Sequence, residues 1–258
     1  MKRKTIIQQL KNGLIVSCQP RVDSALDRPA FVAALAAVAV QQGAAGVRIR
    51  GTRNIRAVRR AVEVPVVGIE KIIDPDSDVY ITPTLESVRR VDRAGAQIIA
   101  LDATERPRPR HQSLAGIIAA ARADFDALIM ADVATLRQGL EAARLGVDLI
   151  STTLYGYTDE TRQGRGPAFD LVRQLVRETD VPIVLEGHVH QPDHVREAFD
   201  LGAYAVVVGT AITDFEWLAR RFLEACPNGR AGGAELHPLQ STPRRRAASQ
   251  SGRRKRTS

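Results

Sequence analysis

The chain has 258 residues, 44% of them hydrophobic but only 4% aromatic, with a formal net charge of +8. A core built from Val, Ile, Leu and Ala suits parallel strands buried on both faces, in one large domain or two small ones. The two cysteines, Cys18 and Cys226, sit far apart with no metal-ligand spacing, which points to a reducing compartment rather than a disulfide scaffold, and the basic start from Met1 to Leu10 has no long apolar stretch behind it, so neither a secretion signal nor a membrane span is read and a cytoplasmic protein is expected.

Short apolar runs recur at the spacing of a βα unit. In chain order they are Leu14–Cys18, Ala45–Ile49, Val64–Lys71, Gln97–Ala103, Ala127–Val133, Asp148–Thr153, Val181–Gly187 and Tyr204–Gly209. Between and after them lie segments of helical periodicity: Pro29–Gln42, Asn54–Ala61, Thr84–Ala94, Leu114–Ala123, Thr135–Leu145, Pro167–Glu178, Pro192–Leu201 and Asp214–Ala225. Eight such alternations predict an α/β fold, a (β/α)8 TIM barrel. Gly43, Gly95, Gly146 and Gly202 stand at helix-to-strand joints, where a left-handed cap is expected. An open doubly wound sheet is the runner-up; no Gly-x-Gly-x-x-Gly follows the first strand to support it.

The charge is unevenly spread. Residues 227–258 hold eight Lys/Arg and one acidic residue, while residues 1–226 hold 29 basic against 28 acidic ones. The expected organisation is one barrel domain over 1–226 and a disordered, Arg-rich tail over 227–258, too poor in apolar residues to fold. Its runs Arg244–Arg246 and Arg253–Arg256 could touch nucleic acid or acidic surfaces non-specifically.

The chain uses 32 arginines and 5 lysines, and between Lys11 and Lys255 the single lysine is Lys71. Arginine stays protonated, whereas a lysine can be made neutral and then act as a base or form a Schiff base. Lys71 ends the third apolar run, and in such barrels chemistry collects at the C-terminal ends of strands. Polar residues fall there in series: Ser17, Cys18 and Gln19; Arg48 and Arg50; Glu70 and Lys71; Asp102 and Thr104; Asp132; Ser151, Thr152 and Thr153; Glu186 and His188; Gly209 and Thr210. Gly187, Gly209 and Thr210 would let backbone approach a phosphate, the alternative being tight turns only. The five histidines lack a metal-ligand pattern, His188 and His190 reading as loop residues, and no dinucleotide fingerprint or Ser-His-Asp order is visible, so no cofactor or metal is expected. A lysine made neutral by burial and by nearby Arg48, with carboxylates from Asp102, Asp132 and Glu186, suits proton abstraction beside a carbonyl, or Schiff-base chemistry.

The segments Gly13–Gln19, Val47–Ile49, Val67–Lys71, Val79–Thr84, Ile98–Thr104, Met130–Asp132, Ser151–Thr158, Leu185–Gly187 and Val207–Thr213 resemble, in order, the N-acetylmannosamine-6-phosphate 2-epimerase family, over about residues 10–225. The resemblance implies interconversion of N-acetylmannosamine 6-phosphate and N-acetylglucosamine 6-phosphate in sialic acid and amino-sugar breakdown, without metal or redox cofactor. It places the catalytic lysine on Lys71, its supporting glutamate on Glu186, the substrate arginine on Arg48 and an aspartate on Asp132. Gln19, Thr153, Gly187, Gly209 and Thr210 complete the expected substrate-binding set. A phosphorylated N-acetylhexosamine is the expected partner, with no membrane contact and a homo-oligomer, a dimer, as the expected assembly.

Two positions depart from that pattern: His188 and Asp214 stand where many members have arginine. Arg165 is a candidate replacement cation, and Asp214→Arg is expected to tighten phosphate binding. A Schiff-base aldolase on the same barrel, and a non-catalytic sugar-phosphate or nucleic-acid binder, remain open alternatives.

Overall fold

The computed structural model describes residues 3–227; the expectations for the tail beyond Pro227 lie outside the described residues. Eight strands, β1 (Gly13–Cys18), β2 (Gly46–Arg50), β3 (Val66–Ile69), β4 (Ile98–Asp102), β5 (Leu128–Asp132), β6 (Leu149–Ser151), β7 (Ile183–Glu186) and β8 (Ala205–Val208), are parallel and pair in chain order until β8 meets β1. The sheet therefore closes, and the open-sheet alternative is excluded. Around it run α2 (Pro29–Gln41), α3 (Thr52–Ala61), α4 (Leu85–Arg93), α5 (Leu114–Asp124), α6 (Leu136–Arg144), α7 (Phe169–Glu178), α8 (Pro192–Asp200) and α10 (Phe215–Glu224). Side-chain oxygens of Thr84, Ser113, Thr135 and Asp214 cap α4, α5, α6 and α10, satisfying amides that the first helical turn leaves open. The four joint glycines all have positive φ, between 78° and 96°.

Two further α-helices lie outside the eight periodic segments. α1 (Arg3–Leu10) precedes the barrel, and α9 (Thr210–Thr213) follows β8. Ile6 and Leu10 of α1 join the inner core with Ile15, Ile98, Leu128 and Leu149, so α1 closes the floor of the barrel. A Cβ on Gly46 would stand 2.8 Å from a Leu10 methyl, so the bare backbone of β2 makes room for the plug. The sequence signal was there in the i, i+4 pair Ile6 and Leu10, but it spans only two turns.

Alternation along each strand divides the side chains between two cores. Val66, Ile99, Leu101, Ile129, Ile150 and Val206 face the helices, whereas Val67, Ile69, Ala100, Met130, Val184 and Val207 face the interior. Two residues further toward the strand ends, the inward row becomes polar. That row is the candidate site.

Candidate active site

Arg48 is the hub of the inward row. It is 1% exposed, and its two terminal nitrogens donate to Asp132 Oδ1 and Oδ2 at 3.1 and 2.7 Å, while Nη1 also reaches Glu186 Oε2 at 3.0 Å. Thr153 Oγ1 lies 2.8 Å from Asp132 Oδ1 and 3.1 Å from Glu186 Oε2, and Ser151 Oγ lies 2.8 Å from Thr153 Oγ1. Residues from β2, β5, β6 and β7, and from the turn after β6, are thereby tied across the mouth. Burial opposes the Arg48 charge, but Asp132 and Glu186 outweigh it and raise its pKa. Burial pushes Glu186 upward, against the pull of Arg48, with Asp132 adding to the rise. A carboxyl group in this position is poised to hold a proton longer than a free glutamate.

Lys71 follows β3 on the inward parity of Val67 and Ile69, and it bridges backbone with Ile81 of the inner core. Desolvation is the main cause that lowers its pKa, to about 8, with Arg50 and then Arg48 adding electrostatic repulsion and Glu186 and Asp132 partly opposing them. The lysine therefore shares the electrostatic environment of the Arg48 hub, and it can lose its proton near neutral pH. Arg50 is the contribution that sequence reasoning missed. Its Nη2 is held by Asp27 Oδ2 at 2.7 Å and by the Pro20 carbonyl at 2.9 Å, which fixes a cation on the inward face of β2. The i, i+2 spacing of Arg48 and Arg50 on one strand was the available signal.

The remaining strand-end residues divide by parity. Gln19 lies at the mouth, its Nε2 donating to Ser17 Oγ at 2.8 Å while its Oε1 is buried with no hydrogen-bond partner. Gly187 has φ 104°, a left-handed conformation that a side chain would strain. Gly209 packs against Ser17, and Thr210 opens α9, the short helix expected of a phosphate loop. Glu70 is not part of the site: it points outward and pairs with Arg90 of α4 at 2.7 Å. Asp102 faces inward, but Thr104 and Arg106 of its own loop hold its two oxygens at 2.6 Å each. Cys18 faces the outer core, where burial pushes its thiol up to about 12.

The two departures have structural accounts. His188, with φ 56°, stacks on Tyr157 at a ring-centroid distance of 4.9 Å and an interplanar angle of 10°. Asp214 caps α10 through Trp217 N at 2.9 Å and pairs with Arg21 at 3.1 Å. The cation that Asp214 holds is Arg21, from the loop after β1, and Arg165 is exposed. Among the described residues no group of three or more His, Cys, Asp or Glu could hold a metal ion, and no helix is long and apolar enough to cross a membrane.

The family model described as "Putative N-acetylmannosamine-6-phosphate epimerase" matches residues 32–228. Two bacterial proteins described in the same words as 2-epimerases are similar over most of their length. The one from Synechococcus elongatus is 41% identical over 227 residues, 87% of this chain and 98% of that protein. The one from Cutibacterium acnes is 45% identical over 210 residues, 81% of this chain and 91% of that protein. The solved N-acetylmannosamine-6-phosphate 2-epimerase of Clostridium perfringens superposes with a TM-score of 0.82 at 37% identity, covering 86% of this chain and 96% of that one.

Proposed function

The chain belongs to the N-acetylmannosamine-6-phosphate epimerase family, and from that premise we propose that it interconverts N-acetylmannosamine 6-phosphate and N-acetylglucosamine 6-phosphate by moving a proton at C2. The observation that carries the reading is Lys71, a lysine lowered to about 8 beside the Arg48–Asp132–Glu186 cluster. In the open-chain sugar C1 is an aldehyde, which acidifies the hydrogen on C2. Neutral Lys71 takes that proton as general base. The negative charge that develops on O1 is met by the cationic groups of the mouth, where low dielectric strengthens the interaction. Reprotonation on the opposite face of C2 gives the other epimer, and Glu186, held toward its protonated form by burial, is the proton donor in this scheme. Arg48 and Asp132 fix the geometry, with Thr153 as the hydroxyl that joins both carboxylates.

Gln19 supports the choice of an acetamido sugar, since its partnerless buried Oε1 is an acceptor for the substrate N–H. The phosphate is assigned to Gly187, Gly209 and Thr210. A homodimer is part of the proposal: α10 has no buried residue, and Ile212, Phe215, Phe222 and Leu223 are 47–76% exposed along α9 and α10, a face that a second copy would cover. Light scattering reads that mass directly.

The test is N-acetylmannosamine 6-phosphate incubated with the protein in deuterated water. NMR should show deuterium entering C2 as the second epimer accumulates. No second epimer and no exchange at C2, with a lysine adduct trapped by borohydride, would replace the epimerase by the Schiff-base alternative.

A further inference from the structure

The ladder between β3 and β4 stops after Val67↔Ile98 and Gly68↔Ile99, short of the barrel mouth. Continued in that register, it would join the Glu70 amide to the Ala100 carbonyl and the Asp102 amide to the Glu70 carbonyl. The peptide Ile81–Thr82, from the segment between β3 and α4, takes these groups instead. Thr82 Oγ1 accepts from the Glu70 amide at 3.2 Å and donates to the Ala100 carbonyl at 2.7 Å. The Thr82 amide donates to the Glu70 carbonyl at 2.7 Å, and the Asp102 amide donates to the Ile81 carbonyl at 3.0 Å. Thr82 is fully buried and has φ 45°, in the left-handed region that a β-branched side chain enters only at a cost. Such a residue persists where its surroundings over-determine it, and here its amide and hydroxyl are bonded to the two strand ends on either side. The wedge reaches Lys71 through its neighbour Ile81. These two residues form an antiparallel bridge, and beyond it the Ile72 amide donates to the Tyr80 carbonyl at 3.0 Å. Residues directly opposite across such a bridge point to the same face and approach closely. That face is the barrel interior, since Ile81 lies in the inner core at 2% exposure.

On the reading of Lys71 as the base, we propose that Thr82 is its positioning residue: it wedges β3 and β4 apart at the mouth and sets Ile81 against the lysine on the inner face. Being fully buried, Thr82 does not itself meet substrate. Were the ladder to close directly between Glu70 and Ala100, the Ile81–Thr82 peptide would be expelled, and Lys71 would lose the apolar neighbour opposite it. Desolvation is the first cause of the lowered Lys71 pKa, so water admitted beside its stem raises that pKa toward the ordinary lysine value. Arg50, Arg48, Glu186 and Asp132, the charged groups that act on Lys71, keep their partners outside the wedge, Arg50 on Asp27 and Arg48 on the two carboxylates. The wedge therefore acts on the lysine through backbone and burial, not through charge.

The experiment titrates Lys71 in the full-length protein, without substrate, by NMR of carbon-labelled lysine, its signal among the five lysines assigned through Lys71→Arg. Thr82→Val keeps the shape and removes the hydroxyl, and should raise the Lys71 pKa by about one pH unit. Turnover at pH 7 should then fall roughly tenfold, following the neutral fraction of the lysine, while KM changes little. Thr82→Ser keeps the hydroxyl and should keep the native titration. Thr82→Gly lacks the hydroxyl but takes φ 45° without cost, so it should act as Thr82→Val does and decides alone if that variant does not fold. A loss confined to melting temperature, with the Lys71 titration unmoved in Thr82→Val or Thr82→Gly, overturns the proposal. A Thr82→Ser titration displaced as far as that of Thr82→Val overturns it as well. The titration needs no reaction, so its outcome is separate from deuterium entry at C2 in the native protein, which tests the epimerase reading.

Discussion

Two arginine–carboxylate clusters stand at strand ends of the same barrel and are built in opposite ways. Asp102 is held by Thr104 and Arg106, residues two and four positions further along its own loop. Asp132 is held by Arg48, 84 residues away in sequence, and Arg48 also reaches Glu186 across the mouth. Arg106 keeps 22% of its side chain exposed, whereas Arg48 keeps 1%. A local pair satisfies a carboxylate within its own loop and can relax into solvent. A cross-barrel pair has no such freedom, and its charges also act on the titration of Lys71. Charge alone does not separate the two clusters; the distance in sequence from which the partner comes does.

The largest test of that contrast is Lys71→Arg. It keeps a cation of similar length at the mouth but removes a base that can be neutral. Turnover should fall by about 10²–10⁴-fold, the usual worth of general-base catalysis, with substrate binding kept and deuterium no longer entering C2. Retention of a tenth of the native turnover would mean that another group takes the proton.

Removing the two aspartates compares the clusters directly. Asp132→Asn leaves Arg48 buried without its bidentate partner and should cost about 3–5 kcal/mol of stability in urea unfolding. Asp102→Asn should cost less, about 1–3 kcal/mol, because Arg106 can turn outward. Equal losses in the two variants would show that the cross-barrel connection adds nothing.

Arg50 sharpens the electrostatic side. With a pKa of about 8, Lys71 is neutral in about one molecule in ten at pH 7, so activity should climb as pH rises toward that value, and fall again where Glu186 loses the proton it donates. Arg50→Gln removes a repelling cation and raises the lysine pKa. The ascending limb of kcat/KM should move to higher pH and turnover at pH 7 should fall roughly three- to tenfold. A lower maximum with an unmoved limb would assign Arg50 to substrate contact.

Asp214→Arg carries the smallest expected effect and reverses the expectation drawn from sequence. The substitution deletes the α10 cap and sets a second cation against Arg21, so stability should drop by about 1 kcal/mol and the Michaelis constant should not improve. A lower Michaelis constant at unchanged melting temperature would restore the reading based on the family pattern.

Much of this architecture was readable in the chain, for physical reasons that differ by residue. The apolar runs, the joint glycines and the helix-capping hydroxyls are local signals, set by strand burial, left-handed backbone and open amides. Lys71 stood out because lysine is scarce here, and its place after an apolar run put it at the barrel mouth. The eight strand ends could be enumerated, but not sorted, since a polar residue at a strand end carries no mark of its partner. Strand parity and cross-barrel distance turned Glu70 toward Arg90, closed Asp102 on its own loop and brought Arg48, Asp132 and Glu186 together. The same holds for Asp214, whose meaning depends on Arg21, 193 residues earlier. Periodicity and backbone chemistry act over a few residues and are written in the sequence. Pairing of buried charges depends on which strands closure makes face each other, and only the closed barrel decides that.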